Sequence, residues 1–161
     1  MKRILFINIL ATCMTAISFG QSFDWNLRGG LNLMNSKTTG EDLALLYHIG
    51  AQAGVRITNY GVYGELTYSM LEDQFGGGPL AYLAPAVLAK AYVLRFMFCE
   101  VGAILLSPID DPASWIDDSN PDNEIFLFGG LGVHFSKIEI SMRSIVKQSY
   151  AIVQLTAAVK F

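Results

Sequence analysis

His48 and His134 are the residues of this 161-residue sequence whose chemistry is most versatile, because imidazole serves in both metal binding and proton transfer. Both fall on the polar faces of predicted strands, where Glu65 or Glu139 could join them in a metal or acid/base site. Their spacing matches no metal-binding motif. A histidine on such a face is more often one member of a hydrogen-bonded polar network. The sequence therefore predicts no metal site, no cofactor and no catalytic residue at these positions.

Three other segments contain residues whose types could do chemistry. Ser107 and Asp110 stand where a catalytic pair could sit near a rim, but no histidine is near them in sequence to activate the serine. Gly76–Gly78 is followed by neither a lysine nor a helix start, so it is not a phosphate-binding loop. An acid-rich stretch lacks the ordered oxygen spacing of a calcium loop, and we expect a solvated loop or weak cation bridging between lipid head groups. Its acids are Asp110, Asp111, Asp117, Asp118 and Asp122.

The elements that must position these residues are strands, because apolar and polar residues alternate with a period of two in eight segments. The fourth segment contains Pro85, which predicts a bulge or an interrupted ladder. The predicted strands are Asp24–Asn35, Tyr47–Ile57, Val62–Met70, Leu80–Val93, Met97–Leu105, Ile125–Phe135, Ile138–Arg143 and Tyr150–Phe161.

The connections between these strands alternate in length. Those after the first, third and fifth strands are long and polar, whereas Thr58–Gly61 and Ser136-Lys137 are tight turns. Outer-membrane barrels carry short periplasmic turns on one rim and longer extracellular loops on the other. The pattern predicts an all-β fold, an eight-stranded antiparallel up-and-down transmembrane β-barrel with both mature termini on the periplasmic side.

Composition supports a surface that does not meet water. Hydrophobic residues make up 52% of the chain and charged residues 16%, against about 25% charged in an average soluble domain. In a membrane barrel the polar faces point inward, where charges of both signs can pair in a narrow lumen. The predicted lumen network, with a structural role, is Arg28, Arg56, Glu65, Glu100, Glu139, Arg143 and Lys160.

The first twenty residues have the three parts of a secretory signal peptide. Lys2 and Arg3 precede an apolar run, and Ser18-Phe19-Gly20 supplies small residues before a cleavage site near Gly20/Gln21. A lipid anchor on Cys13 is disfavoured by the threonine before it. We therefore predict a signal peptide at 1–20 and a barrel domain at 21–161. Nine basic and fourteen acidic residues remain, a net charge of −5, which argues against nucleic acid as a partner.

The last strand ends on an aromatic residue, Phe161. We expect this residue to act as an insertion signal that is read by the barrel insertion machinery. Other aromatic residues near the predicted strand ends fit the interfacial girdles of membrane barrels. They are Phe23, Trp25, Tyr47, Tyr60, Tyr68, Tyr82, Phe135 and Tyr150.

Four motifs in order resemble the PorT-like outer-membrane β-barrel family of Bacteroidota. They are Arg28-Gly29-Gly30-Leu31-Asn32-Leu33, Gly64-Glu65-Leu66-Thr67-Tyr68-Ser69, Tyr82-Leu83-Ala84-Pro85 leading to Lys90, and the glycine-rich sixth strand. Ala84 stands where the family usually has an acidic residue, and residues 154–158 replace its glycine-rich closing strand. The resemblance implies an eight-stranded barrel and brings no catalytic residues with it.

The expected function is that of a non-enzymatic integral outer-membrane protein with a structural or interaction role. Its expected partners are outer-membrane lipid, the insertion machinery during assembly, and a protein bound by the extracellular loops 35–42, 71–79 and 107–123; a monomer is expected. Two alternatives stay open: a narrow porin-like pore for small solutes, and a component of a secretion or gliding assembly, which the family resemblance suggests.

Overall fold

The computed structural model describes residues 22–35, 43–72, 79–109, 124–146 and 151–161. These residues form eight strands in chain order: β1 (Ser22–Asn35), β2 (Leu43–Ile57), β3 (Tyr60–Glu72), β4 (Pro79–Leu94), β5 (Met97–Pro108), β6 (Glu124–Phe135), β7 (Ile138–Val146) and β8 (Ala151–Lys160). The described part of the chain contains no helix long and apolar enough to cross a membrane.

Each strand pairs with its neighbours in sequence, and β1 pairs antiparallel with β8 to close the barrel. The prediction of an eight-stranded antiparallel barrel is confirmed. Seven strands are longer than the alternation alone indicated, whereas β8 is slightly shorter than the predicted Tyr150–Phe161. For example, β7 continues to Val146 because Ser144 and Ile145 still pair with Val153 and Ile152 of β8.

Three two-residue turns connect β2 to β3, β4 to β5 and β6 to β7, and they define one rim, here called the turn end. Thr58 and Ser136 adopt positive φ angles of 51° and 54° to make two of them. The other connections join strand ends at the opposite rim, here called the loop end. The glycine run, the acid-rich stretch and the predicted signal peptide lie outside the described residues.

Pro85 interrupts one ladder without shifting its register. Between β4 and β5, Leu83 pairs with Ser107 and Ala86 pairs with Ile104, but neither Ala84 nor Pro85 has a partner in that ladder. A proline has no N–H to donate, so this gap is the expected consequence. The register shift lies instead between Tyr92 and Leu94, next to the turn.

The two faces of the sheet differ in where their charged side chains lie. Between the two rims, the outward faces of the eight strands carry no charged side chain among the described residues. Large apolar side chains such as Ile125 (74% exposed) and Leu127 (71% exposed) cover the outside. The buried charged residues all point inward. The barrel is therefore inside-out compared with a soluble domain.

The interior has two zones. Near mid-height, polar and charged side chains form a buried network. Towards the loop end, an apolar cluster fills the lumen, with Tyr82 packed against it. Members of this cluster include Met34, Leu71, Ala84, Leu88, Ile104, Leu106, Phe126, Phe128, Ile145 and Ile152. The alternation pattern did not reveal this zone, because β4 is apolar on both faces.

Inward glycines make room for large lumen side chains. A Cβ atom on Gly132 would lie 2.3 Å from the ring of Phe98, so a larger residue here requires that ring to shift. Outward Gly129, on the same strand, has nothing nearer than the Glu100 carbonyl oxygen at 4.0 Å. On β6, therefore, only the inward glycines make room for side chains in the lumen.

Exposed aromatic side chains lie towards both rims, as expected for interfacial girdles. Tyr47 and Tyr68 lie towards the loop end, with ring centroids 6.4 Å apart. Trp25 and Phe161 stack with ring centroids 4.4 Å apart, and the backbone N–H of Phe161 donates to the Trp25 carbonyl at 3.1 Å. The exposed aromatic residues at the turn end are Phe23, Trp25, Tyr60, Phe96, Phe135 and Phe161. Tyr150, also predicted for a girdle, is outside the described residues. Assigning Tyr82 to a girdle was wrong, because it packs against the interior cluster.

Candidate functional site: the buried charge network

Six of the seven residues predicted for the lumen network are joined by ion pairs inside the barrel: Arg28, Glu65, Glu100, Glu139, Arg143 and Lys160. They come from β1, β3, β5, β7 and β8, so the network ties together strands that are distant around the barrel wall.

Glu65 is the acceptor at one side of the network. Its carboxylate binds the guanidinium of Arg28, and it accepts two hydrogen bonds from Arg143, from Nη1 at 2.8 Å and from Nη2 at 2.9 Å. Thr67 Oγ1 and Gln52 Nε2 each donate to it at 3.0 Å. All lone pairs of this carboxylate are therefore directed at fixed donors.

Arg143 bridges Glu65 to a second carboxylate. Its Nε donates to Glu100 Oε1 at 2.5 Å, and its Nη2 lies 3.2 Å from Glu100 Oε2. The side chain is 1% exposed, and its guanidinium carbon lies 4.8 Å from the ring centroid of Phe128. The planar fork of arginine suits this double bridging, which a lysine could not reproduce.

Glu139 is held between two lysines. Lys90 Nζ donates to Glu139 Oε2 at 2.8 Å, and Lys160 Nζ lies 2.7 Å from Oε1. Lys90 also lies 4.0 Å from Glu100 and therefore links this group to the Arg143 bridge. Removing water from such charges is costly, so the network is tolerable only because each carboxylate has at least two cationic partners.

Lys90 is the network member that sequence reasoning missed. It is 3% exposed, and its ammonium lies over the ring of Phe98, 4.6 Å from the centroid. The available signal was its position, since it shares an inward face with Ala86, Leu88 and Tyr92 on β4. The apolar residues on both faces of β4 hid that alternation.

Arg56 does not join the network, which corrects the prediction for this residue. It is half-buried at the turn end, where its guanidinium carbon lies 3.8 Å from the ring centroid of Tyr92 and its Nε donates to the Thr58 carbonyl at 2.9 Å. Arg56 is the penultimate residue of β2, and its cross-strand neighbours Ser22 and Gly61 carry no charge. Glu139 is equally near the turn end, but its carboxylate is engaged by Lys90 and Lys160.

A second, uncharged layer surrounds His48. Asn32 Nδ2 donates to Ser69 Oγ at 2.8 Å and to the Met70 carbonyl at 2.9 Å, which fixes the orientation of the amide. Its Oδ1 therefore accepts from His48 Nδ1 at 3.0 Å, and His48 Nε2 lies 3.0 Å from Thr156 Oγ1. Both ring nitrogens are engaged, so His48 belongs to a polar network.

The carboxylates of the network are engaged by cations. Glu65 and Glu100 are saturated by arginine, which leaves neither as a free general base. Within the described ranges, no three His, Cys, Asp or Glu side chains come close enough together to hold a metal ion. His134 lies at the turn end with its ring edge against Tyr92, and Ser107 pairs with Leu83 near the loop end of β5. Asp110 is outside the described residues.

Comparisons with known proteins bear on the fold. No protein-family profile and no curated protein sequence matches this chain. Among solved structures, it resembles a transmembrane β-barrel designed de novo, with a TM-score of 0.56 and 14% identity over 86% of this chain and 94% of the other. It also resembles the crystal structure of Neisserial surface protein A, NspA, with a TM-score of 0.55 and 16% identity over 88% of this chain and 97% of the other. The chain therefore has the fold of an eight-stranded transmembrane β-barrel.

Proposed function

We propose that this chain is an integral outer-membrane protein that has no catalytic activity and acts as a rigid scaffold for surface interactions. The observation that carries the proposal is the polarity of the barrel. Its outer wall is apolar and uncharged between the rims, while its ion pairs are inside. A sheet can be stable in hydrocarbon only when closure satisfies every backbone group, and this one is closed.

The filled interior supports a barrel that does not conduct. Arg143 and Gln52 are 1% exposed and Phe98 is 2% exposed, although all three point into the lumen. The lining of a water-filled channel would be solvated. The apolar cluster at the loop end adds a second closed layer. The alternative of a porin-like pore is less well supported for these reasons.

The role itself we assign to the loop end. A barrel wall that is rigid and inert is suited to hold binding segments, and loops on rigid scaffolds commonly carry function. The segments 36–42, 73–78 and 110–123 join strand ends at that rim. The resemblance to the PorT-like family of Bacteroidota makes a secretion or gliding assembly the alternative setting in which a protein partner would bind.

Membrane location is tested by fractionation of cells that express the full chain. We expect the protein in the outer-membrane fraction, with different gel mobility in boiled and unboiled samples, as for a folded barrel. Recovery as a freely dissolved periplasmic protein would contradict the proposal. A gentle detergent pull-down with mass spectrometry then tests for a protein partner.

Conduction is tested separately by planar-bilayer recording of the purified barrel. A silent bilayer is expected because the lumen side chains are packed and paired. Steady conductance that changes when Arg28 or Glu65 is substituted would instead establish the pore alternative. Val87→Ala, on the outer wall, is the matched control, because it does not touch the lumen.

A further inference from the structure

The turn end of the barrel carries a group of polar side chains, here called the cup, that shares only Lys160 with the buried network. Its floor is formed by three aromatic side chains that are each at most 5% exposed, Tyr63, Tyr92 and Phe98. Its rim is formed by four half-buried polar residues, Asp24, Arg56, His134 and Lys160.

The same kind of backbone hydrogen bond holds three residues of the cup, Tyr92, His134 and Lys160, in place. The N–H of Tyr92 donates to the carbonyl of Asn59 at 2.7 Å, that of His134 to Phe96 at 2.8 Å, and that of Lys160 to Lys137 at 2.7 Å. In each case an even-numbered strand is fixed to the tight turn of the preceding hairpin. The cup is therefore built on rigid backbone.

Hydrogen-bond donors surround the ring of Tyr92. The guanidinium carbon of Arg56 is 3.8 Å from its centroid, Lys160 Nζ is 5.6 Å away, and the His134 ring meets it edge-on at 5.5 Å. The buried Nε2 of His134 has no hydrogen-bond partner among the described residues. Arg56 uses only Nε, towards the Thr58 carbonyl, so its two terminal nitrogens remain for a ligand.

The balance of charge at the cup is positive. Inside the barrel, the cations Arg28, Lys90, Arg143 and Lys160 pair with three glutamates, whereas Arg56 has no carboxylate partner within the described residues. Asp24 accepts a long hydrogen bond of 3.3 Å from Tyr63. The exposed Arg95 and Lys137 on neighbouring turns add to the positive potential of this rim.

We propose that this cup binds a phosphate group, with Arg56 as the principal ligand and His134 and Lys160 as additional donors. A tetrahedral oxyanion suits donors that approach from three different strands, and guanidinium groups bind phosphate with paired, charge-assisted bonds. The same chemistry is offered by soluble phosphate and by the head group of an anionic phospholipid. That the cup faces the periplasmic side rests on the proposed outer-membrane location.

The test uses the full chain folded in zwitterionic nanodiscs, with folding checked by gel mobility. The sequence has only two histidines, so their imidazole NMR signals report separately on the cup and on the interior. Titration with inorganic phosphate should shift the His134 signals saturably and leave those of His48 unchanged, because both ring nitrogens of His48 are already engaged.

Three variants test which residues of the cup bind phosphate. Arg56→Gln should weaken phosphate binding about tenfold, the loss expected for one charge-assisted hydrogen bond. Arg95→Gln is the matched control on the same rim and should change it less than about twofold. Asp24→Asn should tighten binding, since it removes a negative charge from the cup. Equal effects of the two arginine variants would overturn the proposal.

A second arm identifies the source of the phosphate group. Nanodiscs that contain phosphatidylglycerol, with no free phosphate, shift His134 if the ligand is a lipid head group. A shift only with inorganic phosphate identifies a soluble ligand. No saturable shift in either arm overturns the phosphate cup, while the gel mobility and membrane location of the barrel would be unaffected.

Discussion

At the scale of single residues, the network depends on one arginine. Arg143 donates to both Glu65 and Glu100, so it compensates two carboxylates that are buried away from water. Replacing a buried ion pair as a whole can be neutral, but removing one partner leaves an uncompensated charge and is strongly destabilising. Loss of Arg143 would leave the Glu65 and Glu100 carboxylates buried without the cation that bridges them.

We therefore predict that Arg143→Leu lowers the free energy of unfolding by about 3–5 kcal/mol. Urea unfolding in lipid vesicles, followed by intrinsic fluorescence, provides the measurement. Adding Glu100→Gln should recover part of the loss because it removes one orphaned charge. Arg95→Leu, in an exposed turn, is the control and should have an effect within about 0.5 kcal/mol. An unfolding midpoint unchanged by Arg143→Leu would disprove this role.

At the scale of a strand, β6 shows how glycine position decides packing. The inward Gly132 faces the Phe98 ring, whereas the outward Gly129 faces open space. We predict that Gly132→Ala destabilises the barrel by about 1–3 kcal/mol through overpacking, and that Gly129→Ala does not. Comparing the unfolding midpoints of the two variants checks this. Similar values would mean that the ring of Phe98 moves away easily.

The seam between β8 and β1 is the other element-scale feature. Phe161 stacks on Trp25 across this seam, and such aromatic pairs contribute about 0.5–1.5 kcal/mol beyond their buried area. Phe161→Asp should sharply reduce the fraction of heat-modifiable barrel in membranes, whereas Phe161→Tyr should preserve it. Wild-type amounts of barrel with the aspartate would exclude a role for Phe161 in closure. Its reading by the insertion machinery stays a prediction.

At the scale of the whole molecule, a lipid-facing wall predicts that the destabilisation caused by an outward charge depends on the depth of that charge in the membrane. Leu66 is the central residue of β3 and 51% exposed, and Ile57 is equally exposed but next to a turn. Leu66→Arg should cost about 2–4 kcal/mol and Ile57→Arg about 0–1 kcal/mol when unfolding is measured in lipid vesicles. Equal costs at the two depths would contradict a membrane around this wall.

The sequence by itself determined the strands, their antiparallel order and the alternation of short and long connections, because side chains on a strand alternate faces whatever surrounds them. It also identified Arg28, Glu65, Glu100, Glu139, Arg143 and Lys160 as members of one face. Only the tertiary structure decided which of these meet. Ion pairs across a lumen depend on the stagger of strands around the barrel, which no single strand encodes.

For the same reason Lys90 was missed and Arg56 was misplaced. Lys90 lies on a strand that is apolar on both faces, so its direction became clear only from the pairing of β4 with β3. Arg56 has the correct face, but its guanidinium lies over Tyr92, and Glu139, which is equally near the turn end, is taken up by Lys90 and Lys160. Periodicity specifies the face of a residue, whereas its height and its neighbours are set by the closed sheet.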